Sequence, residues 1–203
     1  MVNFCLNPAD ILVKVSNGHD PFSVIERWAL GSPFDHVFLY LGAVRIITDP
    51  RQHQTLRFPM LFESNGRGVV IQALSNRYGQ EVVVMRLKEG YRQGIPKVLK
   101  EAVKLASDES ARYDYMCIVQ FILPRLICEK LGIAMPLKWH RNLLHVCSEA
   151  IFEVFYRAKY KILPLNRVPL PGDFVTDSPI LEQVWAVTLS EVVVHSSISS
   201  PVA

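Results

Sequence analysis

The chain lacks a strong charge of either sign. Its 22 Lys and Arg are nearly matched by 19 Asp and Glu, leaving a formal net charge of +3 at pH 7. With the basic residues scattered, that balance excludes the electrostatic footprint of a nucleic-acid binder. Glycine and proline are too few, at 10 and 13 in 203 residues, for a low-complexity chain. No Gly-rich phosphate loop is present. No apolar run is long enough for a membrane span. The longest, Met116 to Cys128, is interrupted by Gln120, Pro124 and Arg125, and a span takes roughly 20 apolar residues. Near the start, the first positive charge is Lys14, behind Ile11-Leu12-Val13, and Pro8 and Asp10 break the place of an apolar signal core. No signal peptide is read there, and the expected compartment is the cytoplasm. The cysteines Cys5, Cys117, Cys128 and Cys147 form no CxxC pair. A zinc ribbon is thereby excluded, and in a reducing compartment they are free thiols.

What is present is a chain that is 50% hydrophobic, which excludes intrinsic disorder and suffices for one sizeable core. One domain is expected over 1–203, with 195–203 a frayed tail. Ile11 to Val15 is rich in β-branched residues and reads as a strand. Asp20-Pro21 reads as a cap and first turn, predicting a helix over Pro21 to Leu30. Strands are expected over His36 to Leu41 and Ala43 to Thr48, around Gly42, and a polar loop over Asp49 to Thr55. Further strands are expected over Phe58 to Glu63, Gly68 to Leu74 and Glu81 to Leu87. The middle region thus reads as an antiparallel meander or small barrel. The period then changes, predicting helices over Gly94 to Ser107, Tyr115 to Leu131 (bent near Pro124) and Val146 to Lys159. Asp177-Ser178-Pro179 is expected to open a last helical turn, and Val184 to Val194 a final strand. The order predicts an α+β domain.

Three residues carry candidate chemistry. Cys147, in Val146-Cys147-Ser148-Glu149, falls at the first turn of its helix, where unpaired N–H groups favour a thiolate and can hold an oxyanion. The competing reading is a buried structural thiol. His36 opens an apolar strand, so its ring can stand at the sheet's rim and take a proton from a thiol; otherwise it is a strand-end histidine with a satisfied hydrogen bond. Glu63 ends another apolar strand and can fix the tautomer of His36. On spacing alone Asp10, Asp35 and Asp49 compete for that role. His145-x-Cys147 is half of a metal site, with no second pair at ligand spacing to complete it. Cys117 and Cys128 read as core thiols. Phe34, Phe38, Tyr40 and the Met116 to Leu123 segment form an apolar strip, read either as core or as the wall of a cleft for an acyl chain.

Several segments together resemble the NlpC/P60 superfamily in its circularly permuted, YiiX/YebB-like branch. These are Ala9-Asp10-Ile11-Leu12-Val13, Phe34-Asp35-His36-Val37-Phe38-Leu39-Tyr40-Leu41-Gly42, Phe62-Glu63 with Gly68-Val69-Val70, Ala111-Arg112-Tyr113-Asp114-Tyr115, Val146-Cys147-Ser148-Glu149 and Pro171-Gly172-Asp173-Phe174. The departures are Ala9 for a glycine, Asp35 for a serine and Ala150 for a leucine; none removes a catalytic atom. The resemblance implies a permuted papain-like α+β fold, a small antiparallel sheet or barrel packed against helices. It implies a Cys147 nucleophile, a His36 base and a Glu63 orienter, acting on an amide or ester through a thioester. No metal or organic cofactor is needed for such chemistry. The expected partner is a small-molecule, peptide or lipid-like acyl substrate; no nucleic acid or membrane span is expected, and peripheral membrane contact stays open. The alternatives are a cell-wall-type peptidase and a non-catalytic binding or virion- or envelope-associated module of the same fold.

Overall fold

The computed structural model describes residues 5–16, 32–49, 54–66, 68–108, 127–128, 131–132, 146–165 and 168–190. Its elements are β1 (Ile11–Val15), β2 (Phe34–Asp49), β3 (Gln54–Asn65), β4 (Gly68–Ala73), β5 (Glu81–Leu87), α1 (Ile95–Ala106), α2 (Cys147–Arg157), α3 (Asp173–Thr176) and β6 (Leu181–Thr188). Short 3-10 turns follow β4 at Leu74–Arg77 and β5 at Glu89–Gly94. The fold is α+β. Among the described residues six strands form one sheet in the order β4-β3-β2-β1-β5-β6, every pair antiparallel. Of the two arrangements expected, the described residues form the open sheet and not a closed barrel, with β4 and β6 as its edges among them.

Strand alternation divides the core in two. Ile11, Val13, Val37, Leu39 and Phe62 face one way and pack with Val98 and Ala102 of α1 and Ile151 and Phe155 of α2. Leu12, Phe38, Tyr40, Leu61 and Val84 face the other way, with Leu74 and Leu189. Burial on both faces explains the unbroken run Ile11-Leu12-Val13, where a half-exposed strand would alternate with polar residues.

Several sequence expectations shift. The two strands around Gly42 are one, β2, because Gly42 adopts φ 96° and absorbs a register shift between Tyr40 and Gly42. Only glycine takes that φ readily, so the residue kinks the strand instead of ending it. β3 starts at Gln54, inside the segment expected to be a loop. The short C-terminal helix is Asp173–Thr176, ahead of Asp177-Ser178-Pro179, because the Asp173 carboxylate accepts from the Leu170 N–H at 2.8 Å and fixes the turn there. β6 runs over Leu181–Thr188, earlier than Val184 to Val194, with 191–194 outside the described residues. The helix expected over Pro21 to Leu30, most of that over Tyr115 to Leu131, and the tail 195–203 also lie outside them. Among the described residues no helix is long and apolar enough to cross a membrane.

Helix α2 is buried continuously from Cys147 to Phe155. It ends in a Schellman motif: the Tyr160 N–H donates to the Phe155 carbonyl at 2.9 Å and the Lys159 N–H to that of Tyr156 at 2.9 Å. The Tyr160 and Phe155 rings meet edge to face, the apolar contact that accompanies this cap. The geometry puts Lys159 at φ 71°, where a side chain is strained and glycine is the usual occupant. Lys159→Gly is therefore expected to raise the unfolding free energy by roughly 0.5–1 kcal/mol. Urea denaturation measures this, and a loss of stability in the variant would refute the strain argument.

Candidate active site

His36 sits near the start of β2 and Glu63 near the end of the antiparallel neighbour β3, so both lie at one end of the sheet. The Leu39–Phe62 pairing, carried one residue on, sets Glu63 across from Phe38 and one diagonal from His36. Both side chains leave on the face of Phe38 and Tyr40. Long side chains meet across such a diagonal, and His36 Nε2 lies 2.9 Å from Glu63 Oε2.

Glu63 has no exposed surface. A carboxylate so placed must be neutralised and hydrogen-bonded. Arg77 Nη2 reaches both of its oxygens, Oε2 at 2.7 Å. Oε1 also accepts from Asn65 Nδ2 at 3.0 Å and from Gln72 Nε2, itself bonded by Asn76 through its Oε1. Burial raises the pKa of Glu63, but the hydrogen bonds and charges of His36 and Arg77 outweigh it and hold the group at about 2. Glu63 is therefore an ionised acceptor at neutral pH. Because the carboxylate can only accept, the hydrogen bond places a His36 proton on Nε2 and leaves Nδ1 at the ring's other edge.

Cys147 is the first residue of α2 and is 8% exposed. Its helix packs against the opposite sheet face, and the thiol meets the imidazole at the sheet's end. Burial lowers the pKa of His36. Attraction to Cys147 and a hydrogen bond with it, followed by the hydrogen bond and charge of Glu63, overcome burial and push it up to about 9. The start of α2 is capped on one side only. The Val146 N–H donates to Glu149 Oε2 at 3.1 Å, but the valine side chain has no acceptor for the first-turn N–H groups. A Ser, Thr, Asp or Asn there usually adds about 1 kcal/mol; here those N–H groups stay uncontested by the cap.

The structure thus brings Cys147, His36 and Glu63 together. The rival acids are engaged elsewhere: Asp35 Oδ2 accepts from Lys14 Nζ at 2.8 Å, and Asp10 is held by Arg86 Nε and Nη2 at 2.8 and 2.7 Å. The Asp49 side chain, Cys117 and His145, with its half of a metal site, lie outside the described residues. Among the described residues no group of three or more His, Cys, Asp or Glu is placed to hold a metal ion. Of the two readings of the apolar strip, the core reading holds for Phe38 and Tyr40, and the Met116 to Leu123 segment lies outside the described residues. Phe38 and Tyr40 have no exposed surface and belong to the core, so they do not wall a cleft. Asn65, Gln72 and Arg77 were not singled out in the sequence. Asn65 is on the face of Glu63 by two-residue spacing, but Gln72 and Arg77 reach it through strand register and a 3-10 turn that carry no local motif.

No family model matches the chain, and no curated protein matches it. Among solved structures it is similar to one described as "Crystal structure of metalloprotein yiiX from Escherichia coli O157:H7, DUF1105", at 17% identity and a TM-score of 0.44, over 92% of this chain and 100% of that one.

The site makes stability depend on pH at both ends. Glu63 is depressed, so its contribution is present above its ordinary value of 4.5 and fades as pH falls toward about 2. His36 is raised, so its contribution is complete below 6.5 and is lost as pH rises through about 9. Wild type is expected to lose stability between pH 6.5 and 9. Cys147→Ala, lacking the largest upward influence on His36, should lose it at lower pH. Urea midpoints across that range measure the difference. Superimposable curves would mean that the sulfur does not bear on His36.

Proposed function

We propose that this protein is a cysteine-dependent hydrolase or acyltransferase that acts on an amide or ester through a thioester, on a permuted papain-like arrangement of the NlpC/P60 type. The observation that carries this reading is a set of three groups in contact: an imidazole with Nε2 on an ionised buried carboxylate, hydrogen-bonded as well to a thiol from a helix's first turn. The chain order, His36 then Glu63 then Cys147, is that of a permuted enzyme, and constellation rather than order defines such a set.

The chemistry follows from the placement. His36 Nδ1 takes the thiol proton, and Glu63 stabilises the imidazolium that forms. The Cys147 sulfur attacks the carbonyl carbon, and the carbonyl electron pair moves onto oxygen. The first-turn N–H groups of α2, Cys147's own among them, stabilise that oxyanion. When the intermediate collapses, the carbon–heteroatom bond breaks and the leaving group takes the proton from His36. Water, or the hydroxyl or amine of an acceptor, then loses its proton to His36 and attacks the thioester, and Cys147 departs as thiolate. Each step uses this chain's own groups and the substrate.

Alkylation tests the reading. Cys5 and Cys128 are more exposed than Cys147, so access alone favours them. Iodoacetamide near neutral pH is nonetheless expected to modify Cys147 fastest of the four cysteines, because the thiolate is the reactive form. Mass mapping after brief labelling reads this out. Cys147→Ala and His36→Ala should abolish ester and amide hydrolysis with the fold intact. Glu63→Gln should leave measurable activity, with a loss of up to about 10⁴. Equal labelling of all four cysteines would overturn the proposal and favour a non-catalytic module.

A further inference from the structure

Arg77 closes the 3-10 turn Leu74–Arg77, anchored by the buried Leu74. Its guanidinium carbon lies 5.7 Å from the centroid of the Phe38 ring, and that ring's centroid lies 5.7 Å from the His36 ring's. One aromatic side chain therefore backs both cations. Arg77 Nη2 bridges the two Glu63 oxygens, while its Nε is buried with no acceptor among the described residues.

We infer that Arg77 is a positioning residue for the Cys147–His36 pair, clamping the Glu63 carboxylate toward the imidazole and taking up part of its charge. This rests on the reading of Cys147 and His36 as nucleophile and base. With thiolate and imidazolium formed, Cys147, His36, Glu63 and Arg77 together carry no net charge. Without Arg77, one negative charge remains beside a carboxylate that has no exposed surface. Glu63 then pulls on the imidazolium alone, and His36 holds the proton that it must give to a leaving group. Among the described residues, the charged groups around His36 are Cys147 from α2, Glu63 from β3, Arg77 behind Glu63, and Lys14, paired across from it on β1 and turned to Asp35.

The two partners of the clamp act on His36 with opposite signs. Glu63 favours its protonation and Arg77 opposes it. A histidine-labelled NMR titration of wild type, Arg77→Gln, Arg77→Lys, Glu63→Gln and the Glu63→Gln/Arg77→Gln double variant separates these effects. Arg77→Gln is expected to raise the His36 midpoint by about one pH unit, from one charge at short range in a partly shielded site. Glu63→Gln should lower it, and Arg77→Lys, which keeps the charge, should restore the wild-type midpoint. Should Arg77→Gln fail to fold, the double variant decides, because it leaves neither charge unpaired; its midpoint should lie above that of Glu63→Gln. Identical His36 titrations in wild type and Arg77→Gln, or in Glu63→Gln and the double variant, would overturn the inference. A merely structural Arg77 would change the unfolding midpoint and not the titration. Failure of the nucleophile reading is a separate result, a slow Cys147 in wild type under iodoacetamide.

Discussion

A carboxylate with no contact with water is the constraint on which this site depends. An ionised group in that position is tolerated only when its charge is offset and its lone pairs are occupied. Glu63 meets the condition with His36 from β2, Asn65 from its own strand, Gln72 from β4 and Arg77 from the turn beyond. Strand register and charge are thereby tied together. A slip of β3 by one residue would exchange Phe62 with Glu63, sending the carboxylate into the apolar layer under α1 and α2 and the phenyl ring toward Arg77. The pairing of β2, β3 and β4 is specified electrostatically as well as by hydrophobic pattern.

The second constraint is that the sulfur and the imidazole come from opposite layers. Cys147 belongs to the layer between sheet and helices, whereas His36 shares its face with Phe38 and Tyr40. They meet only because His36 is near the beginning of its strand and Cys147 at the beginning of its helix. Packing along α2, from Ala150 to Phe155, sets the height of its first turn against β2 and β3. A cavity made far down that helix would reach the thiol as a shift in position and not as a lost contact.

Much of this was legible in the residues. The change from strand to helical periodicity marked the α+β order, and Cys147, His36 and Glu63 stood near element ends that the sheet and α2 bring together. Gly42 misled because a glycine between apolar runs signals a break and a kink equally well; only the positive φ and the register shift tell them apart. Asp177-Ser178-Pro179 misled because Asp173, four residues earlier, could cap a turn just as well, and it bonds the Leu170 N–H. The competition among Asp10, Asp35 and Glu63 was undecidable locally, since Arg86 and Lys14, which engage the first two, arrive through strand pairing. Arg77 was invisible for the same reason.

The order of the site along the chain bears on how the molecule comes into being. Domains emerge from the ribosome from the N-terminal side first. His36, Glu63, Gln72 and Arg77 all precede Ser107, and β1 to β5 can pair before α2 has been translated. At that stage the imidazole and its carboxylate lie on strands against which α1 can already pack but α2 cannot. The Cys147 sulfur joins them only when the last third of the chain docks. A nascent polypeptide therefore carries the charged half of the arrangement without its thiol, and the site is completed by the closing step of folding.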